Sequence, residues 1–184
     1  MGKLADSLDK AVEGAFTRPI PKSAGAQMRY LVKQLKGTKA VAQHLGVSQR
    51  TVERYVAGQL KRPRKELAAR LEREVKKRWQ PQVRKRAKRQ AATTDGIVID
   101  TRARFGYTAA PGTTDDARLR HLTQALPPQY AARLFEAQEE GATEQQLLDI
   151  AAEGLQEIYF KDRGRRAQGL LVEFTDVDYI DIEL

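Results

Sequence analysis

The stretch TKAVAQHLGVSQRTVERYVA, residues 38–57, decides how the chain is read. Two short helices joined by a tight turn need three things: a small residue where they cross, a glycine in the turn, and apolar residues on the facing sides. Ala42 is the small residue, and Gly46 can take the left-handed turn conformation that a side chain disfavours. Val41, Leu45, Val47, Val52 and Tyr55 fall on the inner positions. Ser48 is placed to cap the second helix, its hydroxyl accepting a backbone N–H. The spacing predicts a helix-turn-helix whose second helix presents Gln49, Arg50, Glu53 and Arg54 outward. In such a motif the N-terminal end of the second helix enters the major groove of DNA. Gln and Arg can pair with base edges there, each good pair giving roughly 1–3 kcal/mol of discrimination. An ordinary helical hairpin with solvated charges is the plainer alternative, and the agreement of so many positions favours DNA.

The next segment, KRPRKELAARLEREVKKRWQPQVRKRAKR (61–89), holds 14 basic and 3 acidic side chains. Its candidate phosphate contacts are Lys61, Arg62, Arg64, Lys65, Lys76, Lys77, Arg78, Arg84, Lys85 and Arg86. A helix is predicted from about Pro63 to Trp79, with Leu67, Leu71 and Val75 on its apolar face and a basic arm beyond. Pro63 suits a first helical turn, where its missing N–H would be unbonded anyway. Such a basic helix and arm can follow the phosphate backbone, raising affinity in a salt-dependent way without reading sequence. Trp79 has two readings. It stacks on an unpaired base at a single-stranded end, or it closes the helical core, which is the reading preferred.

Upstream, Leu4, Leu8, Val12 and Phe16 recur every fourth residue and predict a helix over 3–16, ended by Pro19 and Pro21. Ser23 is expected to cap a second helix carrying Met28, Leu31, Val32 and Leu35, which stops at Gly37.

Charge divides the chain. Residues 1–94 carry 24 basic and 7 acidic side chains, whereas residues 95–184 carry 9 and 17, so the halves hold +17 and −8. The seam is placed near Ala91–Gly96, giving a basic helical DNA-binding domain over 1–94 and an acidic domain over 95–184. In the second half, 96–100 and 104–107 read as two short strands, a pattern that also suits a hairpin. Helices are predicted near 115–125, 128–140 and 143–160, and 170–174 and 177–182 alternate as strands do. The expected fold is therefore mixed: an all-α N-terminal domain containing the helix-turn-helix, then a small α+β domain of order ββαααββ.

Several classes are excluded or disfavoured. There are no cysteines, which removes disulfides and thiolate metal sites and allows a reducing compartment. The two histidines, His44 and His121, are far apart and read as polar helix residues rather than metal ligands. No apolar run reaches 18 residues, so no membrane-spanning helix and no membrane partner are expected. The first residues carry acidic side chains within their apolar stretch, unlike a secretory signal, and a mature cytoplasmic N-terminus is expected. No P-loop, GxSxG or HExxH pattern occurs, and the acidic segment 143–184 lacks a catalytic constellation.

Taken whole, the chain resembles the Streptomyces telomere terminal proteins, which are joined covalently to the 5′ ends of linear chromosomes and plasmids. The resemblance runs through AVAQHLGVSQRTVERYVAG, the basic run through VKKRW, and above all DTRARFGYTAAPGTTDDARLRHLTQALP. It implies a protein that primes the DNA synthesis patching recessed 5′ ends and works at the nucleoid. Its implied partners are telomeric DNA (single-stranded overhang and duplex), a DNA polymerase and a telomere-associated recruiting protein. It also implies Thr114, in the loop 109–116, as the residue whose hydroxyl becomes linked to DNA. The local residues alone leave Thr113, Thr114, Thr108 and Tyr107 as candidates: a turn, Pro111-Gly112, leads to two hydroxyls and two carboxylates at a predicted helix start. With Thr113 as cap, Asp116 can reach back as in a capping box, leaving the Thr114 hydroxyl uncommitted. On this reading the chain is an acceptor rather than an enzyme and carries no cofactor of its own. The dNTP and Mg²⁺ come through the polymerase, whose paired ions stabilise the attacking and leaving oxygens. The acidic end suits contact with the recruiting protein or with a second copy in a homodimer. The alternatives are a helix-turn-helix transcription regulator that binds duplex DNA reversibly and a sequence-tolerant architectural protein.

Overall fold

The computed structural model describes residues 2–108, 118–163 and 170–184. Among them lie eight α-helices and one three-stranded antiparallel sheet, so the fold is mixed α and β. The expected priming loop, with Thr113 and Thr114, lies outside the described residues.

The chain forms two compact units, residues 17–81 and residues 1–16 with 82–184. The smaller unit contains α2 (Ala24–Leu35), α3 (Thr38–Leu45), α4 (Gln49–Val56) and α5 (Lys65–Arg78). Ser23 caps α2 as expected, accepting from the Ala26 N–H at 3.3 Å. Met28 and Leu31 of α2, Val41 and Leu45 of α3, Val52 of α4 and Leu71 and Val75 of α5 are almost wholly buried in one core. Each such aliphatic side chain contributes roughly 1.5–3 kcal/mol by leaving water. Trp79 closes that core: its ring lies 4.8 Å from the Tyr30 ring and its Nε1 donates to the Arg18 carbonyl at 3.0 Å.

The larger unit contains α1 (Lys3–Gly14), α6 (Pro81–Gln90, from its second residue), β1 (Ile97–Thr108), β2 (Arg118–Leu126), α7 (Pro128–Glu140), α8 (Glu144–Leu155) and β3 (Leu171–Glu183). The sheet order is β2-β1-β3. Its inner face buries Ile97, Ile99, Phe105, Leu122, Leu126, Val172, Phe174, Ile180 and Ile182 with side chains of α1, α7 and α8. Wide turns with i→i+5 bonds extend α6 and α8 over 91–95 and 156–160. The edge strand β3 is shielded by α1, as an unpaired row of backbone groups requires. The Ile182 N–H donates to Ser7 Oγ at 2.7 Å, and Lys3 Nζ reaches the carbonyls of Val177 and Asp178.

Several sequence expectations are corrected. Residues 118–126 form strand β2 rather than part of a helix, paired with β1 from Ile97↔Leu126 to Phe105↔Arg118. His121 accordingly sits on a strand, whereas His44 is on α3 as expected. The two short strands expected at 96–107 are one, and so are the two expected at 170–182, giving ββααβ. The expected basic arm after Trp79 is helical, as α6. The compact units also divide the chain elsewhere than the charge seam does. Leu4, Leu8 and Val12 of α1 belong to the core built around the sheet, and the basic run is shared between both units.

Candidate nucleic-acid interface

The turn between α3 and α4 is made as its residues require. Gly46 ends α3 at φ +64°, in the left-handed region, and the Val47 N–H closes the turn on the Ala42 carbonyl at 2.9 Å. Ser48 caps α4, its hydroxyl accepting from the Thr51 N–H at 3.2 Å. Val52 and Tyr55 point into the core, which leaves Gln49, Arg50, Glu53 and Arg54 on the exposed face of α4.

Arg50 and Arg54 make no ion pair among the described residues. Gln49 and Glu53 are tied together instead. Gln49 Nε2 donates to Glu53 Oε1 at 2.8 Å and to Thr38 Oγ1 at 3.1 Å, while Thr38 Oγ1 donates to Glu53 Oε1 at 3.4 Å. Thr38 was not expected to take part. Its place at the start of α3 reads as a helix terminus, and nothing in the sequence shows its hydroxyl meeting α4.

The cations of the basic run fall into two groups. Lys61, Arg62, Arg64, Lys65 and Lys77 are exposed in the smaller unit, and Lys85 and Arg86 are exposed on α6. None of these seven has an ion-pair partner among the described residues. The others serve the fold. Lys76 pairs with Glu72 at 3.2 Å. Arg78 pairs with Glu74, which also takes His44 Nε2 at 2.6 Å, so α3 and α5 are joined by an ionic cluster. Arg84 donates to Asp9 at 3.3 Å and lies over the Phe16 ring, 5.4 Å from its centroid.

Burial of the Glu74 carboxyl works to raise its pKa, but hydrogen bonds from His44 and Arg78, with the charge of Arg78, outweigh that and hold it below the ordinary glutamate value. A lowered carboxylate pKa stabilises the fold above the unfolded-state value, and the benefit is lost as pH falls through the folded-state value. Glu74→Ala is therefore expected to lower unfolding stability by about 1 kcal/mol at neutral pH. Urea titrations should show the gap from wild type narrowing as pH drops below the ordinary glutamate range.

A second polar cluster, with no counterpart among the sequence expectations, lies on the outer face of the sheet. Asp100 Oδ1 accepts from Thr123 Oγ1 at 2.7 Å and lies 3.1 Å from His121 Nε2. Tyr179 OH donates to Asp100 Oδ2 at 3.2 Å and lies 2.6 Å from His121 Nε2. The hydrogen bond from Thr123, with those from His121 and Tyr179, holds the Asp100 carboxyl below its usual range. Its members come from three strands, and no local spacing could have revealed it.

Among the described residues no helix is long and apolar enough to cross a membrane. No protein-family model, curated protein or solved structure matches the chain.

Proposed function

We propose that this chain is a terminal protein of linear replicons. It holds telomeric DNA through a helix-turn-helix formed by α3 and α4, and it offers the Thr114 hydroxyl as the starting point of a new strand. The observation that carries the reading is the exposed face of α4, where Arg50 and Arg54 have no ion-pair partner among the described residues, with four more such cations at Lys61, Arg62, Arg64 and Lys65. Arginine forks match guanine O6 and N7 in the major groove, and the flanking cations neutralise phosphates.

The priming step balances as a nucleotidyl transfer. Thr114 Oγ attacks the α-phosphorus of a dNTP, the Oγ–P bond forms, the bond to the bridging oxygen breaks and pyrophosphate leaves. The hydroxyl proton passes to a base or water in the polymerase site. The chain contributes the nucleophile and its hold on DNA, and the polymerase contributes the Mg²⁺ ions and the catalysis. The acidic residues beyond α7 suit a protein contact, with the recruiting protein or a second copy. The setting is cytoplasmic, at replicon ends.

Two changes separate its parts. Arg50→Ala is expected to cost roughly 1–3 kcal/mol on the preferred duplex and to relax base preference there. Lys61→Ala with Arg62→Ala should weaken all duplexes alike, and should flatten the plot of log affinity against log salt by about 2. Fluorescence anisotropy across a salt series reads both. An Arg50→Ala that weakens every duplex equally would instead make this an architectural protein.

A reversible duplex-binding regulator is the second reading, favoured by the exposed Gln49, Arg50 and Arg54 of α4, which suit duplex contact. One gel divides the two. Label from a dNTP, added with polymerase and recruiting protein, stays on a terminal protein through high salt and boiling detergent. A regulator releases its DNA under either treatment.

A further inference from the structure

We propose that Glu53 is a positioning residue that fixes what Gln49 reads: clamped by Glu53 and Thr38, the Gln49 amide offers the groove an acceptor alone and selects an exocyclic amino group, adenine N6 or cytosine N4. The inference rests on the reading of α4 as the groove-reading helix and deepens it.

An amide side chain normally leaves its partner ambiguous, because it can turn over and exchange its donor and acceptor ends. The Glu53 carboxylate removes that freedom. An ionised carboxylate only accepts, so the NH₂ end of Gln49 must face it, as found at 2.8 Å. The reversed amide would set two acceptor oxygens against each other at that distance. The other N–H of Gln49 goes to Thr38 Oγ1 at 3.1 Å, and the Thr38 proton goes to the same Glu53 oxygen. Both amide protons are thus engaged, and among the described residues no group donates to Gln49 Oε1.

This changes the expected code. An unrestrained Gln bonds adenine in two places, accepting from N6 and donating to N7. The clamped Gln49 has no proton left for N7. Adenine and cytosine then become equivalent, since each offers one amino group in the major groove, whereas guanine and thymine offer acceptors that oppose Oε1. Arg50, one residue along and carrying donors only, suits guanine at the neighbouring position.

The test uses the full-length chain. A preferred duplex is selected from a random pool, and dissociation constants are measured on four versions that differ at the Gln49 position. Wild type should bind the adenine and cytosine versions within about twofold of each other, and both about tenfold more tightly than guanine or thymine. Glu53→Ala removes the acceptor and releases the amide. It should make adenine preferred over cytosine by about tenfold, whatever the change in overall affinity. Glu53 is exposed, so thermal unfolding of the variant should match wild type. Equal binding of adenine and cytosine that survives in Glu53→Ala would overturn the inference. A wild type that binds duplexes without base preference at this position would overturn it and leave α4 as a DNA-binding helix. A wild type that binds no duplex would overturn both.

Discussion

Thr114→Ala is expected to reduce covalent labelling of the chain by dNTP, polymerase and recruiting protein to background, while leaving duplex binding at the wild-type level. The asymmetry follows from chemistry. Alanine has no oxygen lone pair with which to attack the α-phosphorus, whereas α4 and its cations belong to the compact unit of residues 17–81. Thr114→Ser restores the hydroxyl and should restore labelling, which separates a missing nucleophile from an altered fold. Thr113→Ala should label normally. Label that persists on Thr114→Ala and disappears from Thr113→Ala, Thr108→Ala or Tyr107→Phe would move the acceptor to that residue.

The second large effect is on the fold that carries the segment between β1 and β2. Gly96→Ala is expected to destabilise the larger unit by more than about 3 kcal/mol. Gly96 has φ +76° and ψ −153°, a region essentially confined to glycine. An added Cβ would fall 2.1 Å from the Leu126 carbonyl oxygen, a backbone atom that no rotamer change can move away. The neighbours Ile97 and Leu126 are paired across the sheet and both are buried, so relief would have to open that end of the sheet. Denaturant midpoints of variant and wild type measure the effect. Near-identical midpoints would mean that the turn into β1 is more yielding than this geometry allows.

The helices of the smaller unit were legible because each depends on local signals. Ser23 and Ser48 cap as their positions require, Gly46 turns left-handed, and the apolar residues of α3, α4 and α5 meet in one core. The sheet was less legible. Leu119, Leu122 and Leu126 fall at helical spacing, and RLRHLTQAL is rich in helix formers, yet nine paired residues on β1 draw the segment into a strand. Among the residues of β2 whose burial is described, Leu122 and Leu126 alone are buried, which leaves too short an alternation to recognise. In β3 the register to β1 shifts twice, between Arg102 and Ala103 and between Arg104 and Phe105. Each shift moves the buried positions out of phase, so one strand reads as two. The break expected in β1 falls at Thr101, a polar residue that is buried because its hydroxyl donates to the Tyr179 carbonyl at 2.8 Å. The compact units do not follow the charge seam, because charge marks surfaces while compactness follows cores, and α1 packs where Leu4, Leu8 and Val12 find apolar partners.

At the candidate site, residue type identified the outward face of α4 but not which cations were free to use. Lys76, Arg78 and Arg84 look like phosphate contacts in sequence and prove to be paired with Glu72, Glu74 and Asp9. The pairs of Lys76 and Arg78 are i,i+4 contacts along α5, whereas Arg84 meets Asp9 across 75 positions and has no local signature.

The most direct measurement is the mass of the polypeptide recovered from native replicon ends after denaturing extraction and exhaustive nuclease digestion. This chain should be recovered with the peptide containing Thr114 heavier by one nucleotide. Ends that yield no polypeptide, or this chain with every peptide unmodified, would contradict this expectation.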